Sequence, residues 1–247
     1  LAAGLIGYIL KKGLPYVSWE FLTTEPDILM DTYGIKPMII NTIYTVVLTL
    51  LFCIPLGIGS AIYLAEYAKQ GKIVSAIRFA IEILAGIPSI VYGLFGMLFF
   101  VGYCKWDYSL LSGAMTLAIM VLPVIMRTTE EALMAVPKSF REGSFGLGAG
   151  KLRTVFVIVL PSAVPGILSG IILATGRIVG ETAALIYTAG TMAKIPSNIF
   201  SSARTLSVHM YRLSNEGLHT DAAFATAVVL LLMVIGINAL SNVLAGK

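Results

Sequence analysis

The feature that most limits how this chain can fold is a set of five long apolar runs, residues 38–64, 73–101, 109–126, 165–189 and 222–244, rich in Leu, Ile, Val and Ala. A helix needs about 20 mostly apolar residues to cross a bilayer core, and each run meets or approaches that length. Gly and Pro interrupt the runs at a rate that would break a helix in water. Packed membrane spans tolerate such breakers because neighbouring helices satisfy the freed backbone groups, so Pro55 and Pro88 are expected as kinks. The alternation of apolar and polar residues typical of porin strands is absent, which argues against a membrane β-barrel. The rest of the chain does not restore solubility: 57% of the residues are hydrophobic and only 12% charged, against about 45–50% and about 25% in soluble domains. An ordinary soluble enzyme, a disordered chain and a coiled coil are thereby excluded. The expectation is an all-α integral membrane protein, one domain over 1–247. It forms a bundle of about six spans, in which residues 1–10 read as the tail of a truncated first helix.

The connecting segments set the orientation. Lys69, Lys72, Arg78, Arg127, Lys138, Arg141, Lys151, Arg153 and Lys247 fall on one side. Lys11, Lys12, Lys36, Lys105, Lys194, Arg204 and Arg212 fall on the other, with Glu20, Glu25, Asp27 and Asp31. Cytoplasmic loops carry the excess of Lys and Arg, which places the first set, both termini and the 127–161 loop in the cytoplasm. The net charge of +4 belongs to this asymmetry; without a long basic run interleaved with aromatics, no nucleic-acid partner is expected. Cys53 and Cys104 form no CxxC pair, so neither a disulfide framework nor a zinc site is expected. His209 and His219 lack metal-ligand spacing and read as surface residues of an outer loop. Arg78 and Glu82, four apart near the cytoplasmic end of the second full run, read as a pair snorkelling to the interface.

Residues 127–161 are too polar for lipid and too patterned for a slack connector. A short amphipathic helix is expected from Pro137, with Glu142 to Leu147 on it. Gly148 and Gly150 then permit a turn with positive φ, and a second helix runs to Pro161. Within this loop stand Glu142-Gly143-Ser144, then Phe145-Gly146-Leu147, Gly148, nine further residues, and Ile158-Val159-Leu160-Pro161. That spacing resembles the signature loop of ABC-importer permeases, with Gly and Ser in place of the usual two alanines. The resemblance implies a type I ABC importer permease fold in which residues 142–148 form a coupling helix seated in a separate ATPase subunit. Residues 146–151 mimic a phosphate loop, but the nucleotide-binding pattern requires Gly where Phe145 stands and Ser or Thr where Leu152 stands. ATP is therefore expected to be used by the partner, and this chain is expected to carry no catalytic residue, cofactor or metal.

The fourth full run places Arg177 and Glu181 close to its centre, where insertion costs about 2.5–3.5 kcal/mol per charge. Four residues apart, they are expected to share a helix face and to pair. The steps Gly166/Gly170 and Gly176/Gly180 are expected to admit a neighbouring helix closely. Two readings remain open from the residues: an intramembrane salt bridge fixing one helix against another, or an anion site built on the planar donor fork of Arg177, with Thr182 as a hydroxyl donor. Gly176-Arg177 to Gly180-Glu181-Thr182-Ala183, and Gly86 to Gly96 earlier, resemble bacterial phosphate ABC permeases, closest to the PstA-type subunit. That resemblance implies a multi-pass subunit of the bacterial inner membrane that imports inorganic phosphate. Its implied partners are a PstC-type permease, a PstB-type ATPase dimer, a PstS-type extracytoplasmic binding protein and membrane lipid. Arg177, Glu181 and Thr182 would lie on the substrate route. The alternatives are an importer of another oxyanion, such as tungstate, molybdate or a phosphonate, or an ATP-independent anion transporter.

Overall fold

The structure is a computed structural model and describes residues 2–27, 32–69, 71–217 and 219–245; Asp31, Lys247 and the side chain of Asp27 lie outside what it describes. In chain order come α1 (Ala2–Gly13), α2 (Trp19–Thr23) and a two-residue antiparallel pairing of β1 (Pro26–Asp27) with β2 (Thr32–Tyr33). Then follow α3 (Lys36–Ile62), prolonged by a π turn Tyr63–Tyr67, α4 (Lys72–Gly86), and α5 (Ser89–Gly96), prolonged by a π turn Met97–Tyr103. The second half holds α6 (Leu110–Ala135), α7 (Lys138–Gly146), α8 (Lys151–Thr154) with a π turn Val155–Val159, α9 (Leu160–Gly180), α10 (Ala183–Ile186), α11 (Leu206–Glu216) and α12 (Thr220–Ala245). The chain is thus helical almost throughout, as composition and periodicity require.

Among the described residues, four continuous helices are long and apolar enough to cross a membrane: Lys36–Tyr67, Leu110–Ala135, Lys151–Gly180 and Thr220–Ala239. Helices α4 and α5 pass the same test only together, as a pair bent by 98°. Helix α6 is the centre of the bundle: 67% of its apolar window is buried, against 28–33% in the other three. It packs along both α3 and α9, while α12 packs against α1, α9 and α11. Leu117, Met120, Val121 and Ile125 of α6 meet Cys53, Tyr92, Ile178 and Leu185 in the main core. A second cluster joins Ile62 and Leu133 to Val155, Val159 and Ile167.

Three expected boundaries move, each for a local reason. The run 73–101 is broken rather than kinked. Pro88 has no N–H to give the carbonyl of Leu84, and that carbonyl instead accepts the Tyr92 hydroxyl at 2.7 Å and the Ile87 N–H at 3.2 Å. The run 109–126 continues as helix to Ala135, so residues 127–135 belong to α6 and not to a loop. Arg127 and Glu131 pair at 3.0 Å one turn apart on its exposed side, Leu133 is fully buried, and the helix stops only at Val136, whose extended ψ of 126° is what a residue before proline prefers. The run 165–189 shifts toward the N-terminus. Pro161 does not end a helix, because the preceding π turn, in which the Leu160 N–H reaches the carbonyl of Val155, absorbs the lost donor. The continuous span is Lys151–Gly180, and its helix ends before Glu181.

The glycine steps divide. A Cβ built on Gly166 would stand 2.6 Å from Ala132 Cβ, and one on Gly170 would stand 2.7 Å from Thr128 Cβ, so this step does let α9 close on α6. Among the described residues, nothing beyond the local helix backbone lies within 4 Å of a Cβ built on Gly176 or Gly180. Gly170→Ala is therefore expected to lower stability by about 1–3 kcal/mol through overpacking, whereas Gly176→Ala, with the same change in helix propensity and no clash, is expected to be neutral or slightly stabilising. Thermal unfolding of the two variants in detergent separates these outcomes.

Candidate functional site: the α7 knob and the Arg177 turn

Helix α7 and its return arm form a small knob at one end of the bundle. After the stop at Pro137, α7 ends with the N–H of Ala149 on the carbonyl of Ser144 and the N–H of Gly148 on the carbonyl of Phe145, a double reversal that needs a left-handed residue. Gly148 supplies it, with φ of 80°; Gly150, at −75°, is ordinary backbone. The Ser144 and Thr154 hydroxyls, buried and 2.8 Å apart, fasten α7 to α8. Ser144 is the buried residue of α7. Glu142, Gly143, Phe145, Gly146, Leu147 and Gly148 all face outward, with Leu147 91% exposed. Among the described residues, nothing beyond the adjacent backbone stands within 4 Å of a Cβ built on Gly143, Gly146 or Gly148. A knob of this kind presents small residues and unpartnered apolar side chains around one carboxylate.

Arg177 sits in the last turn of α9, away from the middle of a span, so its charge opposes the negative end of the helix dipole. It is half-buried and a near electrostatic neighbour of the buried Tyr92 phenol on α5. The expected pairing with Glu181 does not form. The helix ends at Gly180, Glu181 turns to extended backbone with ψ of 129°, and its Oε1 accepts the N–H of Ala184 at 3.1 Å, capping α10. Its own carbonyl accepts the Ser207 hydroxyl from α11. Among the described residues Arg177 makes no hydrogen bond or ion pair. Thr182 turns its hydroxyl back toward the carbonyl of Gly180 at 3.4 Å. Helix α5 fits closely over the α10 turn, a Cβ on Gly93 falling 2.8 Å from Ala184 Cα, so Tyr92, Arg177 and the capped turn are held as one unit.

Against known proteins, residues 53–246 match the family described as "Binding-protein-dependent transport system inner membrane component", and the chain belongs to that family. It is 40% identical over 235 residues to the "Probable ABC transporter permease protein YqgI" of Bacillus subtilis, covering 90% of this chain and 80% of that protein. It is 35% identical over 208 residues to the "Phosphate transport system permease protein PstA" of Xylella fastidiosa strain 9a5c, covering 84% and 72%. The PstA protein of Pasteurella multocida is 34% identical over 235 residues, covering 91% and 82%. Among solved structures, the inward-facing MetNI methionine ABC transporter superposes with a TM-score of 0.67 at 18% identity, over 90% of this chain and 98% of that one. A bacterial alginate ABC importer also gives 0.67 at 18% identity, over 98% and 89%. The fold is thus that of type I importer permeases, and the molecule is a multi-pass membrane protein of that kind.

Several partners and one burial were not visible in the sequence. Arg78 finds Glu130 of α6, its Nε 2.9 Å and its Nη2 2.6 Å from one carboxylate oxygen; the sequence neighbour Glu82 is not the partner that brings α4 onto α6. Arg141, next to the motif glutamate, reaches Glu66 from 75 positions away. His209 is the clearest correction: it is 4% exposed on α11 rather than on the surface. Its Nδ1 lies 3.3 Å from Nη1 of Arg204, and burial, then Arg204 and Arg212, push its pKa from 6.5 down to about 3. The unfolded chain therefore takes up a proton before the folded one as pH falls. The stabilising contribution is complete above about 6.5 and is lost progressively toward about 3. Between about pH 7.5 and about pH 4.5 the loss is expected to be on the order of 2–3 kcal/mol. His209→Gln is expected to flatten that dependence in thermal unfolding measured at the two pH values.

Proposed function

We propose that this chain is the PstA-type permease subunit of an ATP-driven importer of inorganic phosphate in a bacterial inner membrane. Its termini and the α7 knob lie in the cytoplasm. The observation that carries the reading is a guanidinium left without a carboxylate at the end of a membrane helix, inside a Gly-Arg…Gly-Glu-Thr-Ala sequence like that of phosphate permeases. A planar fork of donors suits the oxygens of a tetrahedral oxyanion, and open space beside Gly176 and Gly180 leaves room for one. Glu181 and Thr182 shape the turn that carries Arg177 to the passage, with the Glu181 carboxylate occupied by the N–H of Ala184.

The knob supports the second half of the proposal. Glu142, Gly143, Phe145, Gly146, Leu147 and Gly148 form a face with no function inside this chain, and small residues let a partner backbone approach. A PstB-type ATPase dimer binding that face supplies the energy, a PstC-type permease completes the passage, and a PstS-type protein delivers the anion from outside. The relatives named for phosphate support this substrate; the YqgI relative, more identical in sequence, carries no substrate in its name, so tungstate, molybdate and a phosphonate serve as competitors in the test.

Arg177→Gln is expected to reduce phosphate uptake by vesicles containing the assembled importer by roughly 100-fold, the loss of one charge-assisted anion contact, while the partner subunits still co-purify. Normal uptake would remove Arg177 from the substrate route. Glu142→Lys is expected to detach the ATPase or to abolish substrate-stimulated ATP hydrolysis, read by co-purification and by phosphate release from ATP. Full stimulation in that variant would remove the knob from the coupling surface.

A further inference from the structure

We infer that Arg141 and Glu66 form a strut that carries the displacement of α7 into α3, and that this pair positions the membrane domain in response to the ATPase; the inference rests on the coupling reading above. Helix α7 is joined covalently to α6 through Pro137 and, through the turn at Gly148, to α8 and α9. It has no such connection to α3. It also has little packing of its own, since Phe140 and Phe145 are about half exposed.

Arg141 provides the missing link. Its Nε, 3.1 Å away, and its Nη2 both donate to one carboxylate oxygen of Glu66, in the π turn that ends the α3 span. Its Nη1 donates to the carbonyl of Val136 at 2.8 Å, and Nη2 also to that of Leu133 at 2.9 Å. Those carbonyls lie at the C-terminus of α6, where Pro137 has no N–H to give and the Leu133 carbonyl otherwise receives only the long bond from the Val136 N–H at 3.4 Å. One side chain therefore ties the knob to both α3 and α6, the two helices packed along each other at the centre of the bundle. The pair is well shielded, with 19% of the Arg141 side chain and 9% of the Glu66 side chain exposed, so it does not exchange freely with water as a surface pair does.

The far end of α3 is pinned as well. Nδ2 of Asn41 donates to the carbonyls of Lys194 and Arg204, both at 3.1 Å, and the hydroxyl of Thr42 accepts the N–H of Leu206 at 3.0 Å. Helix α3 thus links the knob at one end of the bundle to the 190–206 segment at the other. A partner that pulls on α7 moves α3 directly through Arg141 and Glu66; without that pair the pull reaches α3 only through its packing on α6.

The test uses the importer assembled with its ATPase in lipid vesicles. Spin labels at Val47→Cys on α3 and Leu232→Cys on α12, both exposed, report a distance with and without ATP by pulsed electron resonance. The wild-type pair is expected to shift its distance when ATP binds. Glu66→Gln and Arg141→Lys, the second keeping the charge but losing the fork, are expected to leave the ATPase bound, abolish that shift, and lower phosphate uptake per ATP by roughly 5- to 150-fold, the range of a single coupling interaction. A shift and an uptake ratio unchanged in both variants would overturn the strut. So would loss of the bound ATPase in both, since the pair would then only shape α7. A wild-type importer whose labels do not respond to ATP would instead defeat the coupling reading. A wild-type importer that moves but takes up no phosphate would defeat the phosphate assignment, while leaving the strut to be judged on the distance alone.

Discussion

Everything in this bundle answers to the rule that a backbone N–H or carbonyl in hydrocarbon must find its partner inside the protein. The chain places Pro55, Pro123, Pro161 and Pro165 within helices and Pro88 between two, and each proline withdraws a donor. At Pro88 the repair is a side chain, the Tyr92 hydroxyl on the carbonyl of Leu84, and it leaves the chain free to turn by 98°. At Pro161 the repair is a change of helical register in the π turn before it, and the axis continues. The same deficit therefore yields a corner in one place and a straight span in the other, depending on whether the carbonyl is served from beyond the break or the ladder slips by one residue.

Charges obey the same rule more strictly. Arg78 reaches Glu130 across two helices, and Arg141 gathers a carboxylate and two C-terminal carbonyls. The shielded Arg141–Glu66 pair approaches the buried case, in which removing one partner costs about 3–5 kcal/mol. The Arg78–Glu130 pair, with the Arg78 side chain 36% exposed, is screened by solvent and worth less. Both contacts help to place α4 and α7. They also explain how α7, which buries almost nothing apolar, keeps a defined place.

The apolar runs made the membrane class and most spans legible, and the spacing from Glu142 to Pro161 made the knob legible down to the left-handed turn at Gly148. The misplaced boundaries share one cause. Hydropathy counts apolar residues and does not see a backbone that turns within an apolar stretch, as at Pro88 and Glu181, nor a helix that continues through polar residues, as from Arg127 to Ala135. Partners distant in sequence were hidden for a different reason. Arg78 has a carboxylate four residues on, so local spacing pointed to Glu82, whereas the fold supplies Glu130; for Arg141 no local signal pointed to Glu66, 75 positions away. His209 was hidden because α11 is short and only its packing, chiefly against α12 and also against α3, α9 and α10, decides which face is covered.

The separation of Arg177 from Glu181 has a consequence for energy. One carboxylate oxygen of Glu181 already holds the N–H of Ala184, and an extended residue after Gly180 cannot also return to the helix face four residues behind it. Arg177 is left with the negative end of α9, worth about 0.3–1 kcal/mol at an accessible site, and with the neighbouring Tyr92. The roughly 2.5–3.5 kcal/mol charged against an arginine applies at the centre of a span; in the last turn of α9 the cost is smaller, and these two neighbours offset part of it. The remainder, in the proposed reading, is met by water or by an anion arriving beside Gly176 and Gly180, and in a dry passage an anion that carries its own charge cancels it. In the proposed reading, the turn at Gly180 that breaks the internal ion pair is therefore what makes the guanidinium available to an oxyanion.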